Sequence, residues 1–163
     1  MGRRPAMGDG TPFAFEAQSR LTARPEEVWA AVTRPQVLND ELGPWFRVPI
    51  PAAARDLRID TAPLGVRIGR AWVLLLGVLP VDYDDLTLVS VGPGMRFHER
   101  SPMLSCTVWE HRRSVEPHQS GSLITDRISF KPRWFMSGRL YLAIVRLIFR
   151  HRHARLRQRF GTA

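Results

Sequence analysis

Three residues able to move protons, Glu99, His111 and Asp126, sit in runs whose alternation directs them to one side of a sheet. The segment WEHRRSVEPHQSGSLITDRISF (109–130) contains two such runs around a turn. With PHQS as the connection, antiparallel pairing sets His111 opposite Asp126, Trp109 opposite Ile128 and Arg113 opposite Ile124. Asp126 shares its face with Ile124, Ile128 and Phe130, whereas Leu123, Thr125, Arg127, Ser129 and Lys131 point the other way. Asp126 is therefore expected on the inner face. The preceding run MRFHERS puts Phe97 and Glu99 on one face, and pairing through the SPML turn brings Glu99 near Trp109 or His111. The outcome is a carboxylate–imidazole–carboxylate cluster on an apolar wall. Uncompensated buried charge is costly, so these groups must pair or meet water. Three roles fit: a polar lock for the hairpin, contacts to a ligand in a cavity, or general acid/base catalysis. Two carboxylates raise the His111 pKa and desolvation lowers it, so its charge state depends on burial.

Other chemistries lack their residues. There is no Ser-His-Asp order, nucleophile elbow, phosphate-cradling glycine loop or zinc spacing, and GVRIGRA and VGPGM read as turns. His151 and His153 are two apart and splay on a helix, a poor metal pair. Cys106 is the only cysteine, which excludes an internal disulfide; its strand parity is outward and its expected role structural. Neither cofactor nor metal is expected.

The positioning elements follow from pattern. Residues 1–11 read as a disordered tail and 12–161 as one domain. FAFEAQSRL alternates as a half-buried strand. Pro25 and Pro35 each open a short helix, and Gly43-Pro44 stops the second. A short extended piece around WFRVP and a loop fill the stretch from 45 to 63. Strand-like runs at 67–77, 81–91, 94–101, 104–116 and 121–131, about ten residues apart, predict an antiparallel meander. From Trp134 to Phe160 the pattern is helical, with Leu140, Ile144, Leu147, Leu156 and Phe160 as the apolar stripe. Trp72, Tyr83, Phe97 and Trp109 are the aromatics expected to wall a pocket together with Glu99, His111 and Asp126.

The net charge of +9 and sequence pI near 11.3 favour anionic partners. Arg150, Arg152, Arg157 and Arg159 on the last helix form a candidate surface for anionic lipid. Nucleic acid is disfavoured, because no groove-reading or base-stacking motif accompanies the charge. The apolar runs fall short of the ~20 residues that span a bilayer, and MGRRPAMGDGTP has no apolar signal core. A soluble cytoplasmic protein able to touch a membrane surface is expected.

Strand, two short helices, antiparallel strands and one long helix bury all their apolar faces only if the sheet curls round the last helix. On PEEVWAAVTRPQVLNDELGPW, on VWEHRRSVEP followed by GSLITDRISF, and on IFRHRHARLRQRFG, the chain resembles the START-like (SRPBCC) superfamily, in particular its polyketide cyclase/dehydrase-like members. The resemblance covers residues 12–161. It implies an α+β helix-grip fold and binding of a small hydrophobic or amphipathic ligand, lipid or polyketide-like, between sheet and C-terminal helix. The alternatives are a polyketide cyclase/aromatase or dehydratase-like enzyme using Glu99, His111 and Asp126, and a peripheral membrane accessory protein using the basic helix.

Overall fold

The computed structural model describes residues 11–50 and 55–163. The tail expected over 1–11 lies outside them except for Thr11. The elements are β1 (Phe13–Leu21), α1 (Pro25–Val32), α2 (Pro35–Leu42), β2 (Phe46–Arg47), a single 3-10 turn (Ile59–Thr61), β3 (Arg67–Leu75), β4 (Leu79–Val91), β5 (Arg96–Ser101), β6 (Cys106–His118), β7 (Gly121–Pro132) and α3 (Gly138–Phe160). All seven strands form one curved antiparallel sheet in the order β1-β7-β6-β5-β4-β3-β2. α3 lies over β1 and β7, and α2 packs on α3. This is the expected α+β helix-grip arrangement.

Two prolines divide the N-terminal helical stretch. Pro25 occupies the first turn of α1, with Glu26 and Glu27 beside it where the helix dipole favours acids. Arg34 precedes Pro35 and is extended, as a residue before proline must be, so α1 ends and α2 starts afresh. α3 begins four residues later than its pattern suggests, because Arg133–Met136 forms a separate turn closed by the Met136 N–H on the Arg133 carbonyl at 2.9 Å.

Three expectations are corrected. The β6–β7 turn is only Gln119-Ser120, with Gln119 at φ 51° as a tight hairpin turn allows and His118 opposite Gly121. The register therefore differs by two residues from the expected one: His111 faces Ile128, Trp109 faces Phe130, and Arg113 faces Asp126. A two-residue shift preserves side-chain faces, so Asp126 is still inward and is fully buried. Cys106 is not outward, because a bulge between Cys106 and Val108 turns it into the core.

The third correction concerns α3. Its buried stripe is Tyr141, Val145, Phe149, Arg152, His153, Leu156 and Phe160. Leu140, Ile144 and Leu147 face outward and are exposed. Both stripes have helical spacing in the first three turns, but only the one through Tyr141, Val145 and Phe149 continues unbroken to Leu156 and Phe160.

Candidate functional site

Asp126 on β7 is the hub of a buried polar network that ties five elements together. Its Oδ1 accepts from His111 Nε2 at 2.7 Å and from Arg113 Nε at 2.7 Å. Its Oδ2 accepts from Arg113 Nη2 at 2.8 Å and His153 Nε2 at 3.0 Å. Arg113 on β6 also donates to both oxygens of Glu41 on α2, at 2.9 and 3.0 Å. Glu41 receives Arg152 of α3 as well, at 2.9 Å. Two carboxylates and two guanidiniums balance, which is the condition for ions to be tolerated away from water. Burial works against ionised Asp126 and Glu41, but Arg113, helped by His111 at the first and Arg152 at the second, outweighs it and holds both below the ordinary carboxylate range.

The tautomers follow from the partners. A carboxylate only accepts, so both imidazoles present Nε2–H to Asp126. The His153 Nδ1 shares a hydrogen bond with the Ser19 hydroxyl at 2.8 Å, and the Ser19 oxygen accepts from Arg157 at 2.8 Å. Burial is the main influence on His111 and, despite Asp126, pushes its pKa down, so the ring is neutral at pH 7. Phe97 and Phe149 cover it edge-on, at 5.2 and 5.5 Å between centroids.

The open chemistry lies beside this network. Glu99 on β5 faces His111 across the ladder, with its Oε2 3.8 Å from the His111 Nδ1. It accepts from the Ser101 hydroxyl at 3.1 Å and interacts with Asp84 on β4. Burial, followed by the neighbouring Asp84, drives the Glu99 pKa well above the carboxylate range. Burial also raises Asp84, to about 6, although hydrogen bonding to Glu99 and Ser101 opposes the rise. Burial and mutual repulsion thus raise both carboxyls together, and the buried Asp84 Oδ1 has no hydrogen-bond partner among the described residues.

The inner face of the sheet is unevenly covered. Across β5, β6 and β7, Phe97, Glu99, Trp109, His111, Arg113, Asp126, Ile128 and Phe130 are all buried. Across β3 and β4, Ala71, Val73, Asp82, Asp84 and Leu86, which share that face, are only half-buried. α3 crosses the β1–β7 side and stops short of the β3–β4 side.

Of the residues expected at the site, Glu99, His111 and Asp126 are brought together, in contact with Phe97 and near Trp109. Phe97 and Trp109 pack within the core rather than walling an open space: Trp109 lies 6.2 Å from Phe130 and 6.4 Å from Phe149. The space directly under α3, where the cavity was expected, is filled by these rings. Trp72 and Tyr83 are corrected outright. They stack edge-to-face at 5.6 Å on the convex side, with Arg70 over the Tyr83 ring at 3.9 Å, because odd-numbered β4 residues point away from Asp82 and Asp84. Arg152 is likewise no surface cation but a buried partner of Glu41. Arg157 is half-buried on Ser19, and Arg159 pairs with Asp40, so only Arg150 of that set is exposed without an ion pair among the described residues.

A family model described as a domain of unknown function, DUF8410, matches residues 19–160. The chain belongs to the DUF8410 family. No curated protein sequence matches it. Among solved structures, this DUF8410 chain is similar to protein CV1439 from Chromobacterium violaceum (TM-score 0.67, 16% identity, 92% of this chain and 99% of that one). It is also similar to a START superfamily protein from Mycobacterium smegmatis (TM-score 0.60, 11% identity, 93% and 97% covered) and to Ara h 8.0201 (TM-score 0.54, 11% identity, 88% and 96% covered). At these identities the likeness shows the fold, which is START-like.

Pattern reading of the DUF8410 chain did not bring Glu41, Arg113, His153, Ser19 or Asp84 to the site, and it placed Arg152 on the surface. Each carries a local sign of burial, Arg113 by sharing the parity of Trp109 and His111. Glu41 follows the buried Val37 by four residues on α2, and Arg152 lies between Phe149 and Leu156 at helical spacing. Asp84 has the parity of the buried Leu88. Ser19 has the parity of the buried Leu21, and His153 follows the buried Phe149 by four residues on α3.

Proposed function

We propose that this protein binds a small, largely apolar molecule on the open β3–β4 half of the sheet's inner face. Its apolar part would lie on Ala71, Val73 and Leu86, and its polar end would meet the Asp84–Glu99 pair. The observation that carries this reading is the contrast between the closed β5–β7 side and the half-buried β3–β4 side, with the neighbouring Asp84 and Glu99 carboxyls at the boundary and the buried Asp84 Oδ1 without a hydrogen-bond partner among the described residues. Both carboxyl pKa values are raised, and two adjacent carboxyls that hold protons readily can donate as well as accept, so the pair suits a neutral hydroxyl or carbonyl group. It disfavours a carboxylate, which the Asp84 charge repels. The fold likeness to a START superfamily protein supports a ligand-binding role by analogy alone.

The Asp84–Glu99 pair also favours a second reading, acid/base turnover of the bound molecule of the cyclase or dehydratase kind. One protonated and one ionised carboxyl, side by side, supply an acid and a base at the same pH.

Titration with the neutral fluorophore N-phenyl-1-naphthylamine tests the binding. Saturable one-site binding is expected, competed by a long-chain alcohol more strongly than by the fatty acid of equal length. Val73→Arg should abolish it, while Val89→Arg on the convex face should not. Absence of saturable binding, or an unaffected Val73→Arg variant, would refute the reading.

A further inference from the structure

The first half of α3 is apolar on both sides. Tyr141, Val145 and Phe149 face the sheet, while Leu140, Ile144 and Leu147 are 59%, 42% and 64% exposed on the outside. Immediately before them, Trp134 and Phe135 are 91% and 52% exposed. A helix that covers a sheet needs only one apolar stripe. The second stripe contributes nothing to the core, and its continuation onto two exposed aromatics marks a contact surface.

The charge beside this stripe selects the partner. Arg139, Arg146 and Arg150 follow one another at helical spacing along one flank of the exposed apolar residues, and all three are exposed. Among the described residues no carboxylate pairs with them. The arginines of the last two turns are used internally instead: Arg152 on Glu41, Arg157 on Ser19, and Arg159 and Arg155 on Asp40. A second copy of this chain is a poor occupant, because an antiparallel two-fold pairing of the stripes would set the two arginine rows side by side. An apolar strip with exposed tryptophan, flanked by arginines that have no carboxylate partner among the described residues on a chain of net charge +9, matches a surface that is apolar below and anionic above.

We propose that Trp134, Phe135 and the outer face of α3 from Arg139 to Arg150 dock this protein on an anionic lipid bilayer. The aromatics and Leu140, Ile144 and Leu147 enter the interface while the arginines meet phosphate. This places the membrane face at the N-terminal half of the helix rather than at its C-terminal end. It stands independently of the ligand reading, since docking needs no ligand and the fluorophore titration needs no vesicles.

Co-sedimentation of the full chain tests it, with vesicles of phosphatidylcholine alone and of phosphatidylcholine containing about one quarter phosphatidylglycerol. Binding is expected to the anionic vesicles only, and to fall away at about 0.5 M salt. Replacing Arg139, Arg146 and Arg150 together with Gln should weaken it about a hundredfold, since each basic residue at such a surface contributes roughly fivefold. Trp134→Ala with Phe135→Ala should weaken it at least tenfold. All five side chains are exposed, so these variants should keep the wild-type melting temperature. The charge-matched control Arg20, Arg34 and Arg96 to Gln should bind nearly as wild type. No binding to anionic vesicles at low salt, equal loss in the control, equal binding to neutral vesicles, or dimerisation through the face without vesicle binding would each overturn the proposal.

Discussion

The His111 Nε2 lies 2.7 Å from the Asp126 Oδ1, yet the two residues are not cross-strand partners. Asp126 faces Arg113, and His111 reaches it diagonally from its place opposite Ile128. With Arg113 and His153 also bound, the Asp126 oxygens accept four hydrogen bonds, and no capacity is left for a ligand. The His111–Asp126 contact is thus one strut of a brace joining β1, β6, β7, α2 and α3. The proton chemistry that remains available is one strand further along, at Glu99 and Asp84.

Asp126→Asn should therefore act on stability first. It removes one of the two charges that compensate Arg113 and forces an amide N–H toward donors. A loss of about 3–5 kcal/mol in urea-denaturation stability is expected, the range for breaking a buried ion pair. A loss below about 1 kcal/mol would contradict the brace.

The Asp84–Glu99 pair should give stability a pH dependence of opposite sign. Burial raises both carboxyl pKa values in the folded state, Asp84 from 3.8 to about 6. The folded state then holds the proton more tightly than the unfolded chain, so stability is full below the unfolded value and is lost as pH rises toward the folded one. Asp84→Asn does not titrate. Relative to wild type it should gain stability as pH rises from about 4 to about 7. Melting curves of both proteins across that range check this, and a constant difference would contradict it.

Two arginines about two turns apart on α3 supply a paired comparison. Arg152→Gln removes a guanidinium that is 7% exposed and bound to Glu41. Arg159→Gln removes a solvent-facing partner of Asp40. The first should cost about 3 kcal/mol and the second less than about 1 kcal/mol, because water screens the outer pair and not the inner one. Chemical denaturation of the two variants side by side measures the contrast.

Much of this architecture was legible in the sequence because its signals are local. Pro25, Pro35 and Gly43 punctuate the helices, and the ten-residue rhythm of turns counts the strands. Alternation alone placed Glu99, His111 and Asp126 on the inner face, and it tolerated the two-residue error in hairpin register because faces repeat every second residue. What was not legible depends on distance. Glu41, Arg113, Arg152 and His153 come from α2, β6 and α3, and no local pattern announces that they meet at Asp126. Leu140, Ile144 and Leu147 compete with the buried stripe because the first turns of α3 hold two apolar faces of equal quality. Only the sheet they pack against distinguishes them. Trp72 and Tyr83 were misplaced because aromatic character says nothing about the side of the sheet, whereas the parity of Asp82 and Asp84 does.

Methyl-resolved NMR during titration with N-phenyl-1-naphthylamine locates the proposed site most directly. The expected result is saturable shifts of the methyl groups of Ala71, Val73 and Leu86, with Val28, Val145 and Leu156 unmoved. Shifts confined to the exposed Leu76, Val78 and Leu79 tip, or to Leu140, Ile144 and Leu147 on the outer face of α3, or no shifts at all, would contradict a ligand site on the open half of the inner face.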